Sequence, residues 1–212
     1  MIQRNVLGKV TCFITREKDA KIELLLIQHP NAGIQFPAGT VEMNEDFKQS
    51  ALREAFEETG LNEFLTCIHI GKQEINLSDD KYVIYQNARV YSRPELSSFN
   101  WAEIRRGTAV QHERKHGEFI QISYIEGDKY PEPSYTTYQI TGWVEETDLA
   151  STVERHFYHL HTECNLNQWT QEADNHLFKL FWSPLDKLPE IVSPQYEWLK
   201  YVTSDLLVYL KE

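Results

Sequence analysis

The stretch between Asn44 and Gly60 is expected to form a helix that buries an apolar stripe and also carries three glutamates beside it. Phe47, Ala51, Ala55 and Thr59 recur every four residues, with Leu52 and Phe56 alongside, which is the pattern of an amphipathic helix. Asn44 is the predicted N-cap, with Glu45 and Asp46 in a first turn where the helix dipole favours acids. Gly60 suits the left-handed position that ends a helix. Successive helical residues turn by about 100°, so Glu54, Glu57 and Glu58 crowd into roughly one third of the circumference. Like charges at that spacing repel. A hard divalent cation prefers oxygen ligands and gives such a cluster a purpose. A packed helix holds the ligands as firmly as a metal site requires.

The wider stretch 39 to 61, GTVEMNEDFKQSALREAFEETGL, resembles the Nudix hydrolase (MutT-like) family. The family's box fixes a glycine, an acid, an Arg-Glu pair, an apolar residue, a Glu-Glu pair and a closing glycine with an apolar residue. Gly39, Glu45, Arg53, Glu54, Ala55, Glu57, Glu58, Gly60 and Leu61 fill those positions. The flanking Phe36-Pro37-Ala38 and Val41-Glu42 are similar to the family's strand and loop leading into the box. Ala38 stands where many members have a second glycine, and Asn44 where glycine often precedes the first acid. Asn tolerates positive φ better than most residues, so the second change is mild.

The resemblance implies an α/β (α+β) domain, the Nudix fold, in which a mixed β-sheet is sandwiched between helices. His176 to Leu188, HLFKLFWSPLDKL, is similar to the family's late strand and the turn after it. The reading is a single Nudix domain over 1–212 with an extra β-rich insertion at about 93–150. That insertion either shapes a pocket or dimer contact, or only extends the sheet.

Hairpin signals predict strands at Val10 to Thr15 and Ile22 to Gln28, then Phe64 to Asn76 and Lys81 to Ser92. Phe119 to Ile125 pairs with Tyr135 to Val144 across Gly-Asp-Lys-Tyr-Pro-Glu-Pro, and Val153 to His161 and Leu177 to Trp182 follow. A last helix is expected from Pro194, with Ser193 as its N-cap.

Hydrophobic content of 41% and aromatic content of 12% are enough for a core. A net charge of −11 argues against nucleic acid or an anionic membrane as partner, while leaving room for a phosphate ester drawn to a bound cation. Cys12, Cys67 and Cys164 are few and far apart, the N-terminus lacks an apolar leader segment, and no apolar run approaches membrane-spanning length. The expected setting is therefore reduced and cytoplasmic.

By resemblance, the activity is hydrolysis of a phosphoanhydride in a nucleoside diphosphate linked to another moiety, dependent on Mg²⁺ or Mn²⁺. The implied metal ligands are Glu57 and Glu58, Glu54 as a ligand or the base, and the carbonyl of Gly39. Arg53 and Glu45 orient these carboxylates. Some family members have a further acid before the late strand, for which Glu172 is the first candidate, with Asp174, His176 and Glu118 behind it. The segment after the box lacks the marks of the ADP-sugar, dinucleoside polyphosphate, NADH and coenzyme A subgroups, so the linked moiety is open. A sanitising nucleoside triphosphate pyrophosphatase and a non-catalytic nucleotide sensor remain as alternatives, and a homodimer is open.

Other motifs weigh less. His112-Glu113-Arg114-Lys115-His116 spells a zinc-protease signature, but Gly107 and Gly117 leave no room for the stable helix its mechanism needs. His159 and His161 share a strand face and read as packing. Trp101, Trp143, Trp169 and Tyr124 are each weak candidates for stacking on a base.

Overall fold

The computed structural model describes residues 5–129 and 133–209, with side chains of the last helix described through residue 204. Strands dominate: β1 (Asn5–Lys18), β2 (Lys21–His29), β3 (Gly33–Gln35), β4 (Ala38–Thr40), β5 (Thr66–Asn76), β6 (Lys81–Ile84), β7 (Ala88–Tyr91), β8 (Asn100–Ile104), β9 (Ala109–His116), β10 (Phe119–Gly127), β11 (Thr136–Glu145), β12 (Leu149–His161), β13 (Gln168–Ala173) and β14 (His176–Pro184). Helix α1 (Phe47–Thr59) lies between β4 and β5, and α2 (Leu199–Tyr209) closes the chain. This is the strand-rich α+β composition expected of a Nudix fold. The chain forms two compact units, Lys9–Lys72 with Arg155–Glu212, and Met1–Gly8 with Gln73–Glu154.

The first unit holds the box. Its strands run in the order β13, β14, β2, β1, β12, with β3 on β2, β4 on β1 and β5 on β12. Alternation along β1 and β2 sends side chains to two cores. Val10, Cys12, Ile14, Leu25 and Ile27 pack with Ala51 and Ala55 of α1. Phe13, Leu24 and Leu26 pack on the opposite face with Trp198 and Val202. Both faces of this sheet are therefore covered by helical segments, as period-2 burial on each side requires.

The second unit is an antiparallel run β6, β9, β10, β11, β7, β8 around Ile84, Val90, Val110, Ile120, Ile122 and Val144. The expected pair at 119–125 and 135–144 is β10 with β11, and residues 130–132 of the segment bridging them lie outside the described residues. The expected strand at 81–92 is divided into β6 and β7. The HExxH residues lie along β9, where His112 meets Tyr82 and His116 meets Trp143 edge-on, so no zinc-protease helix exists.

Three local expectations need correcting. The N-cap of α1 is Asp46 rather than Asn44. Asp46 accepts from the Gln49 backbone N–H at 2.8 Å and Gln49 answers onto the Asp46 N–H at 3.0 Å, a reciprocal box that leaves Glu45 and Asp46 outside the first turn. The last helix starts at Leu199, not at Pro194, because Gln195–Trp198 first makes a 3-10 turn. Leu52 and Phe56 are 36% and 51% exposed and do not join the buried stripe.

Candidate active site

The inward face of α1 is taken up by carboxylates. Glu54 and Glu58 are each only 8% exposed, beside Ser50, Ala51, Ala55 and Thr59. The helix is anchored so that this face cannot turn away. Gly60 ends it at φ 75°, donating to the Phe56 carbonyl at 2.7 Å. Trp169 Nε1 donates to the Thr59 carbonyl at 2.7 Å, and Gln171 Nε2 to the Glu57 carbonyl at 3.1 Å, so β13 caps the last turn from the side.

Arg53 gathers the acids. Its Nε and Nη2 grip Glu45 with two bonds of 2.9 Å, a bidentate pair. Its Nη1 donates to both Glu54 and Glu57 at 2.9 Å, and Nη2 also reaches the Thr40 carbonyl at 3.0 Å. Glu45 holds Arg53 firmly charged. Burial pushes Glu45 upward, but bonding to Arg53 outweighs it and leaves the carboxyl below its usual range. Arg53, Glu45, Glu54 and Glu57 thus share one ion-pair network, and Glu57 is the member open to solvent.

Glu58 stands apart from that guanidinium. It accepts from the Ala38 N–H at 2.8 Å. Burial drives its pKa well above the usual carboxylate range. The Ala38 bond opposes this, while Glu54, Asp174 and Glu57 add to it. Burial likewise raises Glu54, Arg53 opposes, and the charges of Glu57 and Asp174 push it further. Gly39 is required sterically, because a Cβ there would overlap the Glu54 carboxylate.

Outside the box, Asp174 lies close enough for its charge to act on the box acids. Asp174 and Asn175 sit at φ 49° and 59° between paired Ala173 and His176, a two-residue turn of the primed type. Its charge acts on both Glu54 and Glu58. Glu172 is exposed, and strand alternation puts it on the opposite side of β13 from Trp169 and Gln171, which touch α1. The polar stretch around 168–173 is thus a strand, and the Asp-Asn pair after it was the turn signal available in the sequence. His176 Nδ1 lies 2.7 Å from the Asp174 carbonyl oxygen, and its ring stands 4.6 Å from that of His29. Glu118 lies in the second unit, between β9 and β10.

The donor chemistry fits a hard divalent cation: several carboxylates held on rigid elements, two of them buried, of which Glu58 lies away from Arg53. The side chains do not form a finished cage. Among the described residues no three acidic, histidine or cysteine side chains converge on one point, since Arg53 takes an oxygen of Glu54 and of Glu57. A cavity of about 530 Å³ opens at the start of α1 beside Glu42, Met43, Asn44, Glu45 and Gln49. A groove of about 820 Å³ lies along β13 and β14 near Leu177 and Lys179. Neither is lined by Glu54, Glu57 or Glu58, so the position of the carboxylates, not cavity size, identifies the site.

Among the other residues weighed from the sequence, His159 Nε2 and His161 Nδ1 both lie against Thr15 Oγ1, at 2.8 and 3.2 Å, a packing arrangement. Trp143 is buried under Arg114, and Trp101 is exposed in β8. Among the described residues no helix is long and apolar enough to cross a membrane.

The NUDIX domain family model matches residues 7–106. No curated protein matches the chain. Three solved structures are similar to this chain at low identity. The NUDIX domain of Shewanella oneidensis NrtR, complexed with ADP ribose, is 12% identical over 96% of this chain and 90% of that one, with a TM-score of 0.49. A C. elegans Ap4A hydrolase is 16% identical over 86% and 83%, at 0.34. A MutT/nudix family protein from Enterococcus faecalis is 19% identical over 66% and 52%, at 0.26. Likeness at this level carries no argument about ligands.

Proposed function

We propose that this chain, whose residues 7–106 match the NUDIX domain family model, hydrolyses a phosphoanhydride bond in a nucleoside diphosphate linked to another moiety, using Mg²⁺ or Mn²⁺ in the cytoplasm. One observation carries the reading. Helix α1 turns Glu54 and Glu58 inward while leaving Leu52 and Phe56 in solvent. A helix selected for stability alone would do the reverse, since burying an uncompensated carboxylate costs several kcal/mol and burying a leucine or phenylalanine gains roughly 1.5–3. Rules of folding are broken at places where function requires it.

In this reading a divalent ion, when bound, neutralises the diphosphate and lowers the pKa of a water. Glu57 and Glu58 would hold it, with Glu54 either joining them or accepting the proton of the attacking water. The Gly39 carbonyl would complete the ligand set. Arg53 keeps Glu54 and Glu57 aligned from its anchor on Glu45. Asp174 contributes a further negative charge from the β13–β14 turn and takes the place first given to Glu172. The second unit, Gln73–Glu154, is read as an elaboration within a single Nudix domain.

The unfinished cage favours one other reading, a nucleotide sensor without turnover. A panel of nucleotide sugars, dinucleotides and triphosphates, assayed with Mg²⁺ or Mn²⁺ for phosphate released by a coupled phosphatase, separates the two. Turnover of at least one compound is expected, falling by roughly a hundredfold or more in Glu57→Gln and in Glu58→Gln with the fold intact. Binding without turnover across the panel selects the sensor.

A further inference from the structure

Strand β14 outruns its neighbour. The β13–β14 hairpin ends the sheet, and among the described residues β13 pairs only with β14. β14 is laddered to β2 from Pro184 opposite Glu23 as far as Lys179 opposite Gln28. There β2 runs into the turn at Pro30, which has no N–H to carry a ladder further. Residues 173–178 therefore overhang β2, and Leu177 is 58% exposed. A hairpin tip without a ladder on its inner side opens easily unless side chains hold it. This tip carries Asp174.

Three rings close the gap. Alternation puts His29 with Leu25 and Ile27 on the α1 side of β2, and His176 with Phe178 and Leu180 on the same side of β14. The His29 ring lies 4.6 Å from that of His176 and 5.2 Å from that of Phe178, and His176 stacks along Phe178 at 6.4 Å. Both histidines are tied to backbone. His29 Nδ1 accepts from the Asn31 N–H at 3.0 Å, which holds the ring neutral with its hydrogen on Nε2. Burial, then His176, keeps its pKa below the usual value, and Asp174 opposes. His176 Nδ1 donates to the Asp174 carbonyl at 2.7 Å, since a carbonyl oxygen only accepts. That bond fixes a residue at φ 49°, a backbone region that side chains other than glycine visit rarely. On the other side of the hairpin Trp169 and Ala173 pack into the core shared with Ala51 and Ala55 of α1. Asp174 is thereby set where its charge reaches Glu54, Glu58 and His29 alike.

We propose that His29 and His176 are positioning residues: they clasp the overhanging end of β14 so that Asp174 stays beside the box acids, and through Asp174 they set the affinity of the site for its divalent cation. The cation rests on the hydrolase reading above, whereas the clasp does not.

Two measurements on the full chain test this. The first is hydrogen exchange of peptides in the presence of chelator. His29→Ala removes a ring, and His176→Phe keeps a ring but loses the bond to the Asp174 carbonyl. Both are expected to speed exchange over residues 172–178 by about tenfold, with α1 exchanging as in wild type, and His29→Phe, which restores a ring, to stay near wild type. Wild-type exchange in both of the first two variants overturns the clasp. The second is Mn²⁺ titration followed by the free-ion signal in electron paramagnetic resonance. Asp174→Asn is expected to weaken uptake by about tenfold, His29→Ala by nearly as much, and the two together by no more than Asp174→Asn alone. Additive losses, or wild-type affinity in a folded His29→Ala, overturn the action through Asp174. Melting curves identify a variant that has lost its fold, in which case the other histidine variant decides. No turnover across the nucleotide panel, with the exchange pattern as expected, overturns the hydrolase reading and leaves the clasp standing.

Discussion

The two faces of α1 differ in a way that hydrophobic burial does not explain. Inward, Glu54 and Glu58 lie in a packed interior with raised pKa values. Outward, Leu52 and Phe56 stand in solvent. The helix is locked in this rotation by contacts independent of its amphipathicity: the Asp46–Gln49 box at one end, Gly60 with Trp169 and Gln171 at the other. The lesson is that its orientation is set by caps and by β13, and that the inward face has been given over to charge. In the free protein this is a cost. The proposed cation would offset it.

The largest expected effect comes from closing the space that Glu54 uses. Gly39→Ala puts a methyl where the Glu54 carboxylate sits. Because a carboxylate at the end of a flexible side chain can move, the fold survives and the alignment does not. Turnover is expected to fall by roughly a hundredfold, with melting temperature little altered. A wild-type rate in Gly39→Ala would break the contrast between the faces at once.

The second effect is on stability and pH. In the metal-free fold Glu58 binds its proton more tightly than an ordinary glutamate near 4.5, so over the range above that value the folded state holds a proton that the unfolded state releases. Stability therefore declines as pH climbs from about 4.5 through the raised value. Glu58→Gln keeps an oxygen for the Ala38 N–H and removes the titration. In chelator at pH 7 it melts above wild type, by roughly 2–4 °C for each kcal/mol relieved, and the difference closes near pH 4. A lower melting temperature at pH 7 would mean that the buried carboxylate stabilises the fold.

Smaller again is the lock on the helix. Gly60→Ala forces a left-handed residue and presses a methyl toward Gln171, costing about 1–2 kcal/mol in thermal or urea unfolding. Smallest is the outer face. Leu52→Gln and Phe56→Gln are expected to stay within about 0.5 kcal/mol of wild type and to leave turnover unchanged. A large loss in either would place a partner on that face.

Much of this was legible in the sequence. The box residues name the helix, its closing glycine and the acids, because a motif tied to helical spacing survives any error in its surroundings. What failed was local competition. Asn44 and Asp46 are both good caps, and only the reply from Gln49 chooses between them. Leu52 and Phe56 read as core because apolar periodicity does not reveal that a neighbouring strand has fixed the rotation. Asp174 ranked behind Glu172 because 168–173 is polar apart from Trp169 and Ala173 and reads as a loop, although the Asp-Asn turn marks where the chain reverses.

The most direct test is Mn²⁺ uptake at neutral pH, followed by loss of the free-ion signal in electron paramagnetic resonance, in wild type and in a Glu54→Gln, Glu58→Gln double variant. Wild type should take up the ion and the double variant, still folded, should not. Equal uptake by the two proteins, or none by wild type, would contradict the claim that α1 turns its carboxylates inward to hold a cation.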